Sequence, residues 1–593
     1  MPPKNAKRTN HGKQEPAWKP TVTYRNQEPI TWFHESGYSH ITDNIPITKE
    51  FIKPGTSGLH NLQTPFKITQ WTPTENNHGV ITIEEKGIQQ THAAYKKIIP
   101  LIDPYKWAKN EVRVKKEEII GDWGFAPGIL QQTYRKGYID CLASYLVGNY
   151  ANVHNSPHFL KYFGAFRALS TRYMYDLKDD FESMRFTKWF WAGIEDNSLT
   201  LEIFHKDEER YLTKDEILEL FKPDDELLED DDYDSDDDEE EDTSENDENS
   251  SVSSLTALSI ESEAINTPYV GDLNNSAELE SVCSFETKDE EVYNIHKDGH
   301  CAESVREHYE DDDMVSDASF SDIFTINLVL ENMPVLLLFT EKADGTFDDF
   351  VENPEPLWSL IKTNDEYFPL WSAWLFQIIA SLCILQKHYN FTHNDLHTNN
   401  VVWKKTDKPY LYYKKDSTIW KIPTYGYVFQ IIDFGRAIYT VQNKTLISSD
   451  FYDEEEACGQ YNFGPIYDDS YPQIGPNKSF DLCRFACSFI RPIFEENPPE
   501  KNKGKILTQE SDGFKVLETL NSLFNLLWSW TATINGDSVF EGSRGEEKYP
   551  NFKLYVEIAS QAKNAIPENQ LHKSIFQEFV LKQGTVEDPF ILL

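Results

Sequence analysis

Three oxygen-bearing side chains stand at spacings that could do chemistry. In His393-Asn394-Asp395-Leu396-His397-Thr398-Asn399-Asn400 an Asp is followed five residues later by an Asn, and Asp433-Phe434-Gly435 adds a second Asp downstream. Asp395 could orient a hydroxyl and take its proton. Asp433 and Asn400 offer a carboxylate and an amide oxygen to magnesium, a hard cation that usually takes only one or two carboxylates beside phosphates and water. Phosphoryl transfer from ATP asks for positioning and charge neutralisation rather than covalent work, and this set meets that demand. ATP and Mg2+ are the cofactors expected. His393 and His397, four apart, could also suggest zinc, but the helical H-E-x-x-H context is missing and the surrounding Asp and Asn residues favour a loop.

In this order and context the two motifs resemble those of the eukaryotic-like protein kinase superfamily, whose catalytic loop reads H-R-D-L-K-x-x-N. Asn394 replaces the usual Arg, and His397 stands where Ser/Thr kinases carry Lys. The tracts FTHNDLHTNNVVW and PTYGYVFQIIDFGRA look most like the divergent kinases of large DNA viruses. The resemblance implies an α+β, two-lobed fold with a small β-rich N-lobe and a larger helical C-lobe. It makes Asp395 the base and Asn400 and Asp433 the metal ligands.

Flanking segments fit that frame. Trp371, Trp374, Leu375, Ile378, Ile379, Leu382 and Leu385 fall at helical spacing before the loop. Val401 to Trp403 and Tyr425 to Ile432 read as strands, with a polar and aromatic insertion between them that predicts an enlarged hairpin. Ser479 to Ala486 resembles the buried helix that anchors the loop, so Asp481 would accept backbone N–H bonds; its other reading is a helix N-cap. Asp450 to Gly459 lies where the family has its activation segment, and no A-P-E triplet follows.

Upstream, Ala93 to Ile99 resembles the V-A-I-K strand. Alternation puts Ala94, Lys96 and Ile98 on one face and Lys97 on the other, and Lys96 is the residue expected to bind the ATP phosphates. The helix expected from about Pro127 to Tyr150 contains no Glu, leaving Asp140 as the acid to pair with that lysine. No G-x-G-x-x-G is found; Gly55-Thr56-Ser57-Gly58 is the substitute, or a plain turn. Ser156 to Phe166 and Met333 to Glu341 resemble the fourth and fifth strands, with Thr340 as gatekeeper and Glu341 presenting backbone groups to adenine.

Composition sets the layout. The 593 residues carry a net charge of −43, and eighteen acidic residues with no base lie between Asp224 and Glu248. Ser-rich, weakly apolar sequence continues to about Ser321, too poor in apolar surface to offset the entropy of ordering. The expected organisation is a basic flexible tail over 1–30, the first part of the N-lobe over 31–205, a disordered acidic insertion over 206–321, the end of the N-lobe and hinge over 322–345, and the C-lobe over 346–593. The charge disfavours nucleic acid and favours basic protein partners. Seven scattered cysteines give no disulfide or zinc pattern, and neither a signal peptide nor a membrane-spanning run is read, so an intracellular, soluble protein is expected. A serine/threonine protein kinase is the first functional expectation; a small-molecule phosphotransferase and a pseudokinase scaffold are the alternatives.

Overall fold

In the computed structural model, which describes residues 18–229 and 323–593 apart from 54, 55, 57, 113–122, 124–125, 127, 179, 453–454, 462–473, 495–500, 510–513, 534–537, 541–547, 550–551 and 583–590, the chain is a mixed α+β protein. It forms two compact units, one of Met1–Tyr175 with Asn327–Leu593 and the other of Asp176–Ile326. The segments on either side of the insertion thus join in space.

Alternating burial builds the main sheet of the first unit. Gly79, Ile81 and Ile83 are buried while Val80 and Glu84 are exposed, as expected where one face of a strand packs on a core. The sheet contains β1 (Tyr38–Thr42), β2 (Lys67–Pro73), β3 (His78–Glu85), β4 (Ile88–Pro100), β5 (Tyr162–Ser170) and β6 (Met333–Glu341). Their spatial order is β1-β5-β6-β4-β3-β2, antiparallel throughout. β6, with seven buried residues in succession, is a central strand.

Helix α1 (Lys136–His154) runs between β4 and β5 in the chain and ends on the left-handed Asn155. Helix α2 (Tyr367–Tyr389) precedes the His393–Asn400 loop. The segment Asn364–Tyr389 is long and apolar enough to cross a bilayer, a run that the sequence reading did not register, yet 89% of its most apolar stretch is buried in the fold, which makes it a core helix. After the loop, Val401–Lys405 pairs antiparallel with Tyr427–Ile431, and the insertion between them is the hairpin Tyr410–Lys415/Thr418–Pro423. Its buried Tyr413 and Trp420 pack on Phe376 of α2. Helices α3 (Phe480–Phe494) and α4 (Lys553–Gln561) complete the surroundings of the loop.

Two expected boundaries meet described residues. Within the expected tail, the Trp18 ring packs edge-on against Tyr150, His154, His388 and Tyr389, and residues 1–17 lie outside the described residues. In the second unit, described elements run past 206 to Glu229. The helix Lys214–Phe221 carries a capping box between Thr213 and Glu216, and Phe221 packs on Phe181 and Phe324. An amphipathic, capped helix can fold despite its acidic composition. The rest of the acidic insertion, 230–321, lies outside the described residues.

Candidate functional site

Lys97 makes the central contact of the site. Its Nζ lies 2.7 Å from Asp140 Oδ2 and 2.7 Å from Asp433 Oδ1. β4 supplies the lysine, α1 the buried Asp140, and the turn after Tyr427–Ile431 supplies Asp433. Burial opposes the charge on Lys97, but the two carboxylates outweigh it and raise its pKa. Burial likewise pushes Asp433 up, and attraction and hydrogen bonding from Lys97 more than reverse that, holding the carboxyl well below the usual range. Asp140 is further fixed by Ser144 Oγ at 3.2 Å and by the Phe434 N–H at 3.1 Å, which ties α1 to the Asp-Phe-Gly turn.

Lys96 is elsewhere. Its ammonium is buried on the opposite face of β4, paired to Glu35 Oε1 at 2.5 Å and 4.5 Å from the centroid of the Tyr38 ring, with Trp71 Nε1 donating to the same carboxylate. The alternation holds; the choice of face is corrected. Lys96 shares its face with Ala94, Ile81, Trp71 and Phe339, the apolar side of the sheet, and survives there because Glu35 satisfies it.

The loop bearing Asp395 is held from below by Asp481 at the start of α3. The Asp481 carboxylate accepts the backbone N–H groups of His393 (2.9 and 3.0 Å) and Asn394 (3.1 Å), the role that resemblance assigned to it. Burial raises its pKa to about 6 against the pull of His393 and those N–H donors. His393 Nε2 lies 2.8 Å from the Ile432 carbonyl, and the Ile432 N–H donates to the Asn400 carbonyl at 3.0 Å. Asn400 is thereby placed beside the residue preceding Asp433.

Asp395 Oδ1 accepts a 2.7 Å hydrogen bond from the Tyr555 hydroxyl on α4, and Oδ2 lies 3.7 Å from Arg436 Nη1. Burial disfavours the Asp395 charge, but Arg436 and the Tyr555 bond keep its pKa below the ordinary value. Asn400 Nδ2 donates to the Asp395 carbonyl at 2.8 Å and meets His397 Nε2 at 3.1 Å. A donor on that side makes His397 Nε2 an acceptor, hence a neutral ring, and burial lowers the His397 pKa in the same sense. The same bonds turn the Asn400 amide oxygen away from the Asp395 carbonyl. An amide oxygen and a carboxylate on adjoining segments suit a hard cation, and because no group of three or more His, Cys, Asp or Glu is arranged for a metal among the described residues, the remaining ligands would come from phosphates and water.

Asn394 and Asp433 both hold left-handed φ, 66° and 64°, which non-glycine residues adopt at a cost. Asn394 Nδ2 donates to the Arg436 carbonyl at 2.9 Å and its Oδ1 accepts from the buried Tyr461 hydroxyl. Arg436 Nη2 pairs with Glu456 at 3.0 Å, and Lys136, the first residue of α1, pairs with both Glu456 and Asp450. Charged residues on α1, on the Asp-Phe-Gly turn and on the segment after it therefore form one cluster.

Glu341 closes β6, opposite Ala94 of β4. Its N–H already donates to the Lys161 carbonyl at 2.9 Å, and its carboxylate pairs with Lys404, so that N–H is not offered outward. Of Gly55 to Gly58, residues 55 and 57 lie outside the described residues. The turn Thr74–Asn77 between β2 and β3 meets β4 at Lys96, where the Asn77 carbonyl accepts the Lys96 N–H at 2.8 Å. Asn76 and Asn77 adopt φ of 53° and 60° there, the conformation for which Asn is the common substitute for Gly. Lys97 was visible in the sequence as the alternative. Tyr555, Arg436, Glu456 and the Asn-Asn turn were missed, and only the Asn-Asn pair carried a local signal.

No family model matches the chain. A stretch of 121 residues is 31% identical to the uncharacterized protein 098R of Invertebrate iridescent virus 6, and covers 20% of this chain and 20% of the viral protein.

Proposed function

We propose that the chain is an ATP- and magnesium-dependent phosphotransferase with a two-lobed, protein-kinase-like architecture, acting on serine or threonine hydroxyls of proteins. The observation that carries this reading is the convergence of Lys97, Asp140 and Asp433 from three separate elements, next to a loop that presents Asp395 and Asn400. A cation between two carboxylates fixes the strand, α1 and the Asp-Phe-Gly turn to one another, an arrangement suited to a polyanion. In this reading Lys97 orients phosphate oxygens, Asp433 and Asn400 hold magnesium, and Asp395 aligns the acceptor hydroxyl and takes its proton. When bound, magnesium neutralises phosphate charge. The net charge of −43 favours basic protein substrates. With the one bilayer-length helix among the described residues packed as core, the protein is taken to work in solution inside a cell.

A second reading, phosphorylation of a small-molecule hydroxyl, is favoured by one contact: α4 reaches over the loop and its Tyr555 touches Asp395, which narrows the acceptor side. The test is transfer of radiolabel from ATP by the full chain to basic proteins and, in parallel, to a panel of small hydroxyl compounds, with Asp433→Ala beside the wild type. Labelled serine or threonine in protein, lost by orders of magnitude in Asp433→Ala, is expected. Label confined to small compounds would favour the second reading, and equal labelling by Asp433→Ala would refute both.

A further inference from the structure

We propose that Tyr555 is a positioning residue for Asp395: its hydroxyl holds Oδ1 of the carboxylate, leaving Oδ2 to align the acceptor hydroxyl. This rests on the phosphotransferase reading above and assigns to that site a residue 160 positions downstream of the loop.

The contact is built into the fold. The Tyr555 hydroxyl lies 2.7 Å from Oδ1, whereas Oδ2 is 3.7 Å from Arg436 Nη1, beyond hydrogen-bond range. One oxygen accepts a hydrogen bond from a neutral donor and the other lies near a positive charge without being bonded to it. A carboxylate free to rotate presents either oxygen in many orientations; one pinned through Oδ1 presents Oδ2 in one, and orientation of a reacting group is a large part of enzymatic rate. The pin is itself held. The Arg484 guanidinium carbon lies 4.9 Å from the centroid of the Tyr555 ring, and Phe552 stacks on it at 5.8 Å with an interplanar angle of 16°. Beneath the ring α4 is anchored by the fully buried Ile558 and by Asn477 Nδ2 donating to the Ala559 carbonyl at 3.1 Å. A helix so packed supplies a fixed hydroxyl rather than a passing one.

The experiment compares wild type, Tyr555→Phe and a chain carrying 3-fluorotyrosine at 555, measuring kcat, KM for ATP, KM for the acceptor and thermal melting, with Asp433→Ala as the inactive reference. Tyr555→Phe keeps the ring and its packing, so melting and KM for ATP should stay at wild-type values while kcat falls about tenfold or more. The fluorotyrosine keeps the donor and should restore most of that loss even if Tyr555→Phe melts lower. A kcat unchanged in Tyr555→Phe overturns the proposal, as does a raised kcat, which would mean that the tyrosine blocks the acceptor's place. Failure of the fluorotyrosine to recover activity overturns it as well, by assigning the loss to packing. A wild type no more active than Asp433→Ala overturns the phosphotransferase reading, and the role of Tyr555 with it.

Discussion

Neighbouring lysines on one strand have opposite surroundings, and the difference is testable. Lys97 faces Asp140 and Asp433, while Lys96 is buried against Glu35 and the Tyr38 ring. Under the proposed function, Lys97→Met should lower kcat/KM about a hundredfold or more, the scale seen when one charge-stabilising group is removed, and should also lower the unfolding free energy, because the buried Asp140 loses its ammonium partner. Lys96→Met should keep kcat and KM for ATP and lower only the unfolding free energy, by roughly 1–3 kcal/mol, because Glu35 is left without its ammonium partner. Steady-state kinetics with denaturant unfolding of both variants checks this, and a kinetic defect confined to Lys96→Met would reverse the assignment. The strand's alternation was legible because it is a local, period-2 property. Which face meets α1 was not, since Ala94 and Ile98 flank Lys96 while Ala93 and Tyr95 accompany Lys97, and neither set names its partner. Asp395, Asn400, Asp433 and Asp481 were legible because each belongs to a contiguous motif whose spacing is itself the signal. Tyr555 has no such motif and becomes visible only when α4 is folded against α3.

Between elements, the cluster of Lys136, Arg436, Asp450 and Glu456 decides how α1 is held against the segment that follows the Asp-Phe-Gly turn. A phosphorylated residue could hold two such cations through paired charges; Glu456 already supplies an anion shared by both. Asn394 has no charge to receive a phosphate and is occupied with the Arg436 carbonyl and Tyr461. The expected outcome is full activity after exhaustive phosphatase treatment, together with a several-fold loss in Glu456→Ala. The loss should shrink as salt rises, because Glu456 is half exposed and its ion pairs are open to screening. Activity abolished by phosphatase and restored by phosphorylation between Gly435 and Asp481 would contradict it. The cluster escaped sequence reading for a physical reason: the place of Asp450 to Gly459 after the Asp-Phe-Gly turn says nothing of its partners, and Lys136 reaches Glu456 from more than 300 residues away.

At the scale of the molecule, the acidic insertion divides into a part that the fold uses and a part named only by composition. Up to Glu229 the second unit has a capped helix, the Phe181–Phe221–Phe324 packing, and backbone bonds from Lys188 N–H to the Glu229 carbonyl and from Glu229 N–H to the Phe186 carbonyl. Removing 206–321, the boundary that composition alone suggests, would take out that helix and those bonds, and should expose apolar surface and lower solubility. Replacing only 231–321 with a flexible linker of about twenty residues should leave cooperative melting intact, because changing the length of a solvated connection costs only about 0.6 kcal/mol per doubling. On a short neutral peptide the second deletion should turn over like the full chain. On a basic protein it should bind more weakly, and the difference should shrink as salt rises, since Asp231 to Glu248 carries thirteen acidic residues and no base and acts through screened, long-range attraction. Melting curves of the two deletions, read beside binding to a basic protein at low and high salt, separate the outcomes. If the 231–321 deletion unfolds, or binds the basic protein as tightly as the full chain at low salt, the acidic segment belongs to the folded unit or has no part in engaging partners.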